Sequence, residues 1–158
     1  MTPELENVKG QIGYCGIWCG SCIVGNGALR EVTRRYEALV EGYDLESWGA
    51  GDFDYAAFAR GLAAIQRLEV CRGCREGGGR EGCEMRECAK ARGAVDCTEC
   101  DAGAECGHAE MLERMRSGAR AVGFSIKSGP ADQEKLIEAW MSELGSKWPC
   151  CVLFDGHR

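Results

Sequence analysis

No stretch of this chain holds 18 consecutive apolar residues, so nothing in it reads as a membrane-spanning helix. The common catalytic signatures are missing as well. There is no P-loop, no G-x-G-x-x-G after a strand, no G-x-S-x-G and no H-E-x-x-H, which leaves no phosphate cradle, nucleophile elbow or zinc-protease pair. Positive charge is short: the formal net charge is −6. The most basic run, residues 67–92, sets seven Arg or Lys against five Glu, the balance of a solvated surface. An acidic chain argues against a general nucleic-acid binder. There is also no long-period repeat and no strand alternation from which to build βαβ units. The N-terminal MTPELENVKGQIGYCG has neither a basic start nor an apolar run of signal-peptide length, and the protein is expected to be cytosolic.

What is present is helical periodicity interrupted by cysteine. The 158 residues suit a single domain, 1–158, able to bury about 70% of its unfolded surface. Residues 28–46 carry Leu29, Val32, Tyr36, Leu39, Val40 and Tyr43 at helical spacing. A loop is expected over 47–53. A second helix is expected over about 54–69, capped by Asp52 or Asp54, with Tyr55, Phe58, Leu62, Ile65 and Leu68 on its apolar face. A short helix is expected over 84–92, stopped by Gly93. A third long helix is expected over about 106–122, with Met111, Leu112, Met115, Ala119 and Val122 inward. A last one starts at Pro130 and stops at Gly145, with Leu136, Ile137, Trp140, Met141 and Leu144 on one face. The fold class is therefore all-α, four or five helices with a long irregular cysteine-rich, metal-stapled insertion.

The insertion runs from Cys71 to Cys106. Seven of its residues are cysteine and seven are glycine, while Met85 and Val95 are its only large apolar residues. Packing alone cannot offset a backbone entropy cost of about 1–2 kcal/mol per residue there. Disulfides or metal must hold it, and in a reducing cytosol clustered cysteines favour metal. Two C-x2-C pairs, Cys71/Cys74 and Cys97/Cys100, have the spacing that sets two sulfurs on one side of a tight loop, with Gly73 allowing the first loop to turn. Cys83, Cys88 and Cys106 stand between and after them. A second cysteine segment, residues 13–27, places Cys15, Cys19 and Cys22 at C-x3-C-x2-C. Its glycines oppose a regular helix and favour a loop wrapping an ion, with Ile17 and Trp18 covering it or joining the core.

These ten cysteines are the metal-ligand candidates, and their partition stays open. They suit two four-ligand sites with two cysteines over, or one cluster on Cys15, Cys19, Cys22 and a remote cysteine plus one zinc. The C-x3-C-x2-C spacing resembles the cluster motif of radical S-adenosylmethionine enzymes, but a mostly helical chain of this length cannot supply their partial barrel, and Ser21 stands where they carry an aromatic residue. Neither C-x2-C pair has the strand-to-helix setting of a thioredoxin-type redox pair. His108 reads as an exposed or outer-sphere residue rather than a ligand, and His157 as a frayed end. Adjacent Cys150 and Cys151 read as buried apolar residues beside Val152, Leu153 and Phe154.

Five motifs then recur in a known order. Tyr14-Cys15-Gly16-Ile17-Trp18-Cys19-Gly20-Ser21-Cys22, Cys71-Arg72-Gly73-Cys74, Cys83-Glu84-Met85-Arg86-Glu87-Cys88-Ala89, Cys97-Thr98-Glu99-Cys100 and Cys106 together resemble the domain-of-unknown-function 3795 family over about residues 12–112. The family carries Tyr-Pro before its final cysteine, where this chain has Ala104-Glu105. The resemblance implies a small prokaryote-type protein presumed to bind zinc, and no established activity.

The expected function is a cytosolic metal-binding protein whose cysteine-held structural zinc, about two ions, supports a surface for a protein partner. Four thiolates close a zinc site, so hydrolysis is not expected. The alternative is an iron–sulfur ([4Fe–4S]) or metal-handling and redox protein using Cys15, Cys19 and Cys22.

Overall fold

In the computed structural model, residues 8–147 are described. The readings made above for Cys150, Cys151, the apolar run 151–154 and His157 lie outside them. Six helices occur among the described residues, and no strand: α1 (Ala28–Gly42), α2 (Leu45–Trp48), α3 (Tyr55–Gln66), α4 (Glu84–Ala91), α5 (Ala109–Ala121) and α6 (Gln133–Lys147). The helical fold class expected from periodicity is the one found.

Local chemistry explains where the helices begin and end. Asp54 caps α3, its carboxylate accepting from the Ala57 N–H at 2.8 Å. Gly93 ends α4 in the left-handed region, φ 65°, with the Ala94 N–H reaching back to Ala89 O at 3.0 Å. Elsewhere the boundaries move. The expected helix over 28–46 breaks after Gly42, because Asp44 adopts φ 49°, a conformation aspartate tolerates better than most residues. The short α2 then spans the end of the expected helix and the first two residues of the expected loop. The helix expected from residue 106 begins at Ala109, since Cys106 belongs to the turn closed by its N–H to Gly103 O. Pro130 does not open α6. The Asp132 side chain instead accepts from the Lys135 N–H at 3.3 Å, one residue before the helix starts. Gly145 lies inside α6 rather than ending it, a cost of about 1 kcal/mol that a 15-residue helix tolerates.

Helices α1 and α3 pack as a pair. Tyr36 meets Phe58 edge-on with ring centroids 5.8 Å apart, and Gln66 donates to Glu37 at 2.7 Å. The apolar stripe of α1 is wider than α3 covers: Val32, Leu39 and Tyr43, expected inward, are more than half exposed. On α5, Leu112 and Ala119 are buried as expected, whereas Met111 and Val122 face solvent.

The centre of the molecule is not a helix but the loop over residues 11–22. Trp18 is fully buried, donates its indole N–H to Lys9 O at 2.6 Å and stacks on Trp140 of α6 at 5.7 Å. Isolated antiparallel bridges join Ile12 to Trp18 and Ile17 to Ile126. The Ser125 N–H donates to Ser21 Oγ at 3.0 Å, and the Lys127 N–H to Gly16 O at 2.9 Å. Val8, Ile12 and Trp18 form the innermost apolar group, with Met85 and Ala89 of α4 also buried.

Candidate metal centre

The other cysteine segments hang from that central loop. Cys15, Cys19 and Cys22 lie on it without a regular helix, apart from one 3-10 turn over Cys19–Ser21. The first C-x2-C loop docks beside them. The Tyr14 N–H donates to Cys74 Sγ at 3.3 Å. A Cβ placed on Gly13 would stand 3.1 Å from Cys74 Sγ and 3.6 Å from Cys15 Sγ, so both sulfurs lie over the same glycine. Gly73 turns the loop as its sequence position predicts. It takes φ 78°, and its N–H donates to Cys71 Sγ at 3.4 Å. Gln11 closes the junction, donating to Arg72 O at 3.1 Å with its carbonyl 3.9 Å from Cys19 Sγ. Arg75 completes it: its guanidinium lies over the Tyr14 ring at 4.4 Å and donates to Ile12 O at 2.6 Å and Val95 O at 2.5 Å.

The titration of these thiols records their convergence. Burial first, then the neighbouring Cys74, Cys15, Cys71 and Cys22, push Cys19 up to about 12. Cys15 is raised by burial above all, with Cys74 adding to it. Five cysteines from two distant segments thus form one electrostatic neighbourhood.

A second group forms on the other side of the loop. The Cys97 N–H donates to Tyr14 O at 2.7 Å, which brings the second C-x2-C turn against the first cysteine segment. Cys88 of α4, Cys97, Cys100 and Cys106 line a single cavity of about 190 Å³ together with His108 and Arg116. Cys97 is pushed up to about 11, by burial first; Arg116 pulls it down, and Cys15, Cys100 and Cys106 push it up. His108 immediately precedes α5, with its Nδ1 3.6 Å from Glu84. Cys83 does not line that cavity. It precedes α4 and borders a separate small cavity with Arg80 and Met111.

A buried ion pair fixes the second turn. Lys127 and Asp96 have fully buried side chains and meet at 2.7 Å, and Glu99 is a further partner of the Lys127 ammonium. Asp96 also accepts from the Thr98 N–H at 2.7 Å and from its hydroxyl at 2.5 Å. Burial alone would raise the Asp96 carboxyl, yet Lys127 and Thr98 hold it below its ordinary range. Burial would likewise lower Lys127, and the two carboxylates hold it above its ordinary value. Sequence reading missed Lys127, Arg116, Gln11 and Arg75. They are single polar residues in a connector, a helix and two loops, with no spacing to distinguish them.

Among the described residues, no three His, Cys, Asp or Glu side chains stand close enough to hold one ion. The ten candidate cysteines with ligand spacing are free thiols, and all are half-buried. As a donor set, thiols flanked by backbone N–H and guanidinium donors fit a soft or borderline metal.

Fold and site together define a helical, cysteine-rich protein organised around one loop on which two thiol groups converge. The sequence model of a family described as a protein of unknown function (DUF3795) matches residues 11–111. The chain belongs to that family. No curated protein and no solved structure matches it.

Proposed function

We propose that this is a metal-binding protein with two thiolate sites of structural character. The first is drawn from Cys15, Cys19, Cys71 and Cys74, with Cys22 at its edge, and the second from Cys88, Cys97, Cys100 and Cys106. The observation that carries the reading is the approach of the Cys74 and Cys15 sulfurs over Gly13, with Cys19, Cys71 and Cys22 in the same electrostatic neighbourhood. Sulfurs crowded this way repel once ionised, and a divalent cation removes that repulsion. Zinc suits a closed set of four thiolates, with about two ions per chain, and such sites have no open position for hydrolysis. Their chemical contribution is to staple the segment over 71–106, which has little apolar surface of its own.

A second reading, an iron–sulfur cluster, is favoured by one observation specific to the second group. Four cysteines line one cavity of about 190 Å³, a donor set that an iron–sulfur cluster also uses. This supports the second group as a cluster site beside the alternative on Cys15, Cys19 and Cys22. In either reading the exposed apolar residues of α1 and α2, Val32, Leu39, Tyr43 and Trp48, support a surface for a protein partner. No helix among the described residues is long and apolar enough to cross a membrane.

Single substitutions test the partition. Cys74→Ser and Cys106→Ser should each remove one metal equivalent per chain, and Cys83→Ser none, as measured by elemental analysis after anaerobic purification. If Cys83→Ser loses an equivalent while Cys106→Ser does not, the partition is wrong.

A further inference from the structure

Nη2 of Arg116 on α5 stands apart among the polar atoms of the described residues. It is the one buried side-chain nitrogen or oxygen among the described residues that has no hydrogen-bond partner. Burying an N–H without an acceptor is costly, and arginine cannot escape by losing its proton. The same guanidinium is held firmly at its other edge, where Nε donates to Cys15 O at 2.9 Å. It also borders the cavity formed by Cys88, Cys97, Cys100 and Cys106. A positively charged, tethered donor with an unsatisfied N–H at a cavity lined by four cysteines is arranged to donate to sulfur. Arg116 lies beyond the family match, which ends at residue 111.

We propose that Arg116 is an outer-sphere hydrogen-bond donor shared by the two thiolate sites: Nε fixes the Cys15 loop of the first, and Nη2 donates to a metal-bound sulfur of the second. The inference rests on the reading that these cysteines bind metal. Four thiolates on a divalent ion leave the site with about two negative charges. A guanidinium against it neutralises part of that charge, and its N–H···S bond draws electron density from the sulfur. The bound sulfur becomes a poorer nucleophile and the ion leaves more slowly. Arg116 is thus a positioning residue that sets the retention and reactivity of the second site.

The test uses cobalt(II) as the probe, added anaerobically to the full chain and to Arg116→Gln and Arg116→Lys. Two signals are read: the sulfur-to-cobalt charge-transfer band, and the rate of cobalt transfer to an excess chelator. Arg116→Gln should keep the cobalt stoichiometry, move the charge-transfer band to lower energy, and release one of two equivalents about 10- to 100-fold faster. A merely structural role would leave the band of the bound cobalt unmoved. If the glutamine variant does not fold, Arg116→Lys decides. It keeps the charge but cannot reach Cys15 O and a thiolate together, so it should shift the band in the same direction and release one equivalent faster. A variant that matches the parent in both band and release overturns the role of Arg116 while leaving metal binding intact. A parent chain that binds no cobalt through thiolate overturns the metal reading, and this inference with it.

Discussion

Replacing Lys127 with methionine should be among the most damaging single changes available outside the cysteines. The Lys127 side chain is fully buried, as is that of Asp96, and the two meet at 2.7 Å, while Glu99 is only partly exposed. Methionine fills much of the same volume but leaves the Asp96 carboxylate buried with only Thr98 as a donor. Breaking a buried pair on one side costs about 3–5 kcal/mol, because the remaining charge is uncompensated. In a domain of this size, each kcal/mol corresponds to about 2–4 °C of melting temperature. Lys127→Met should therefore melt about 6–20 °C lower than the parent. Asp96→Asn added to it should recover part of the loss, since it removes the orphaned charge. Denaturant unfolding of the parent, both single variants and the double variant, in reductant, measures the coupling. If Lys127→Met unfolds within about 0.5 kcal/mol of the parent, the pair does not hold the Cys97–Cys100 turn and the argument fails.

Three further outcomes follow from the geometry. Gly13→Ala puts a methyl 3.1 Å from Cys74 Sγ and 3.6 Å from Cys15 Sγ; competition with a zinc chelator should show the first site weakened about tenfold or more, with the second unchanged. Asp54→Ala removes the cap of α3 and should cost about 1 kcal/mol in denaturant unfolding, without altering metal content. Chelator treatment should make the chain over 71–106 cleavable by protease well before α1 and α3, as mass mapping of fragments would show; full resistance there would refute metal stapling.

Helix existence was legible because it rests on repeated signals. The 3–4 spacing of α3 and its Asp54 cap, or the Gly93 stop of α4, are each read from a few neighbouring residues. Boundaries failed where one residue decided them. Asp44 in the left-handed region and Asp132 at the start of α6 outweighed the longer pattern and the proline. The burial of α1 was over-read because periodicity shows which residues share a face, not whether another element covers it. In the site, cysteine spacing foretold the loops, and Gly73 its turn. Spacing alone could not say that Cys74 would join Cys15 across 58 intervening positions, or that Cys83 would border a separate cavity. Tertiary hydrogen bonds from the central loop decide that, through Tyr14 to both Cys74 and Cys97. Arg116 and Lys127 left no trace in the sequence, since a lone basic residue among others looks like solvated surface.

The most direct measurement is metal content with the visible absorbance spectrum, taken on protein purified anaerobically without a metal-affinity tag. About two zinc ions per chain and no colour is the predicted result. Iron with sulfide and a broad visible absorbance would replace zinc by a cluster at one of the two groups. A chain that carries no metal, takes up none on addition of zinc or iron, and keeps its fold with all its thiols free would contradict the central claim that the two cysteine groups are metal sites.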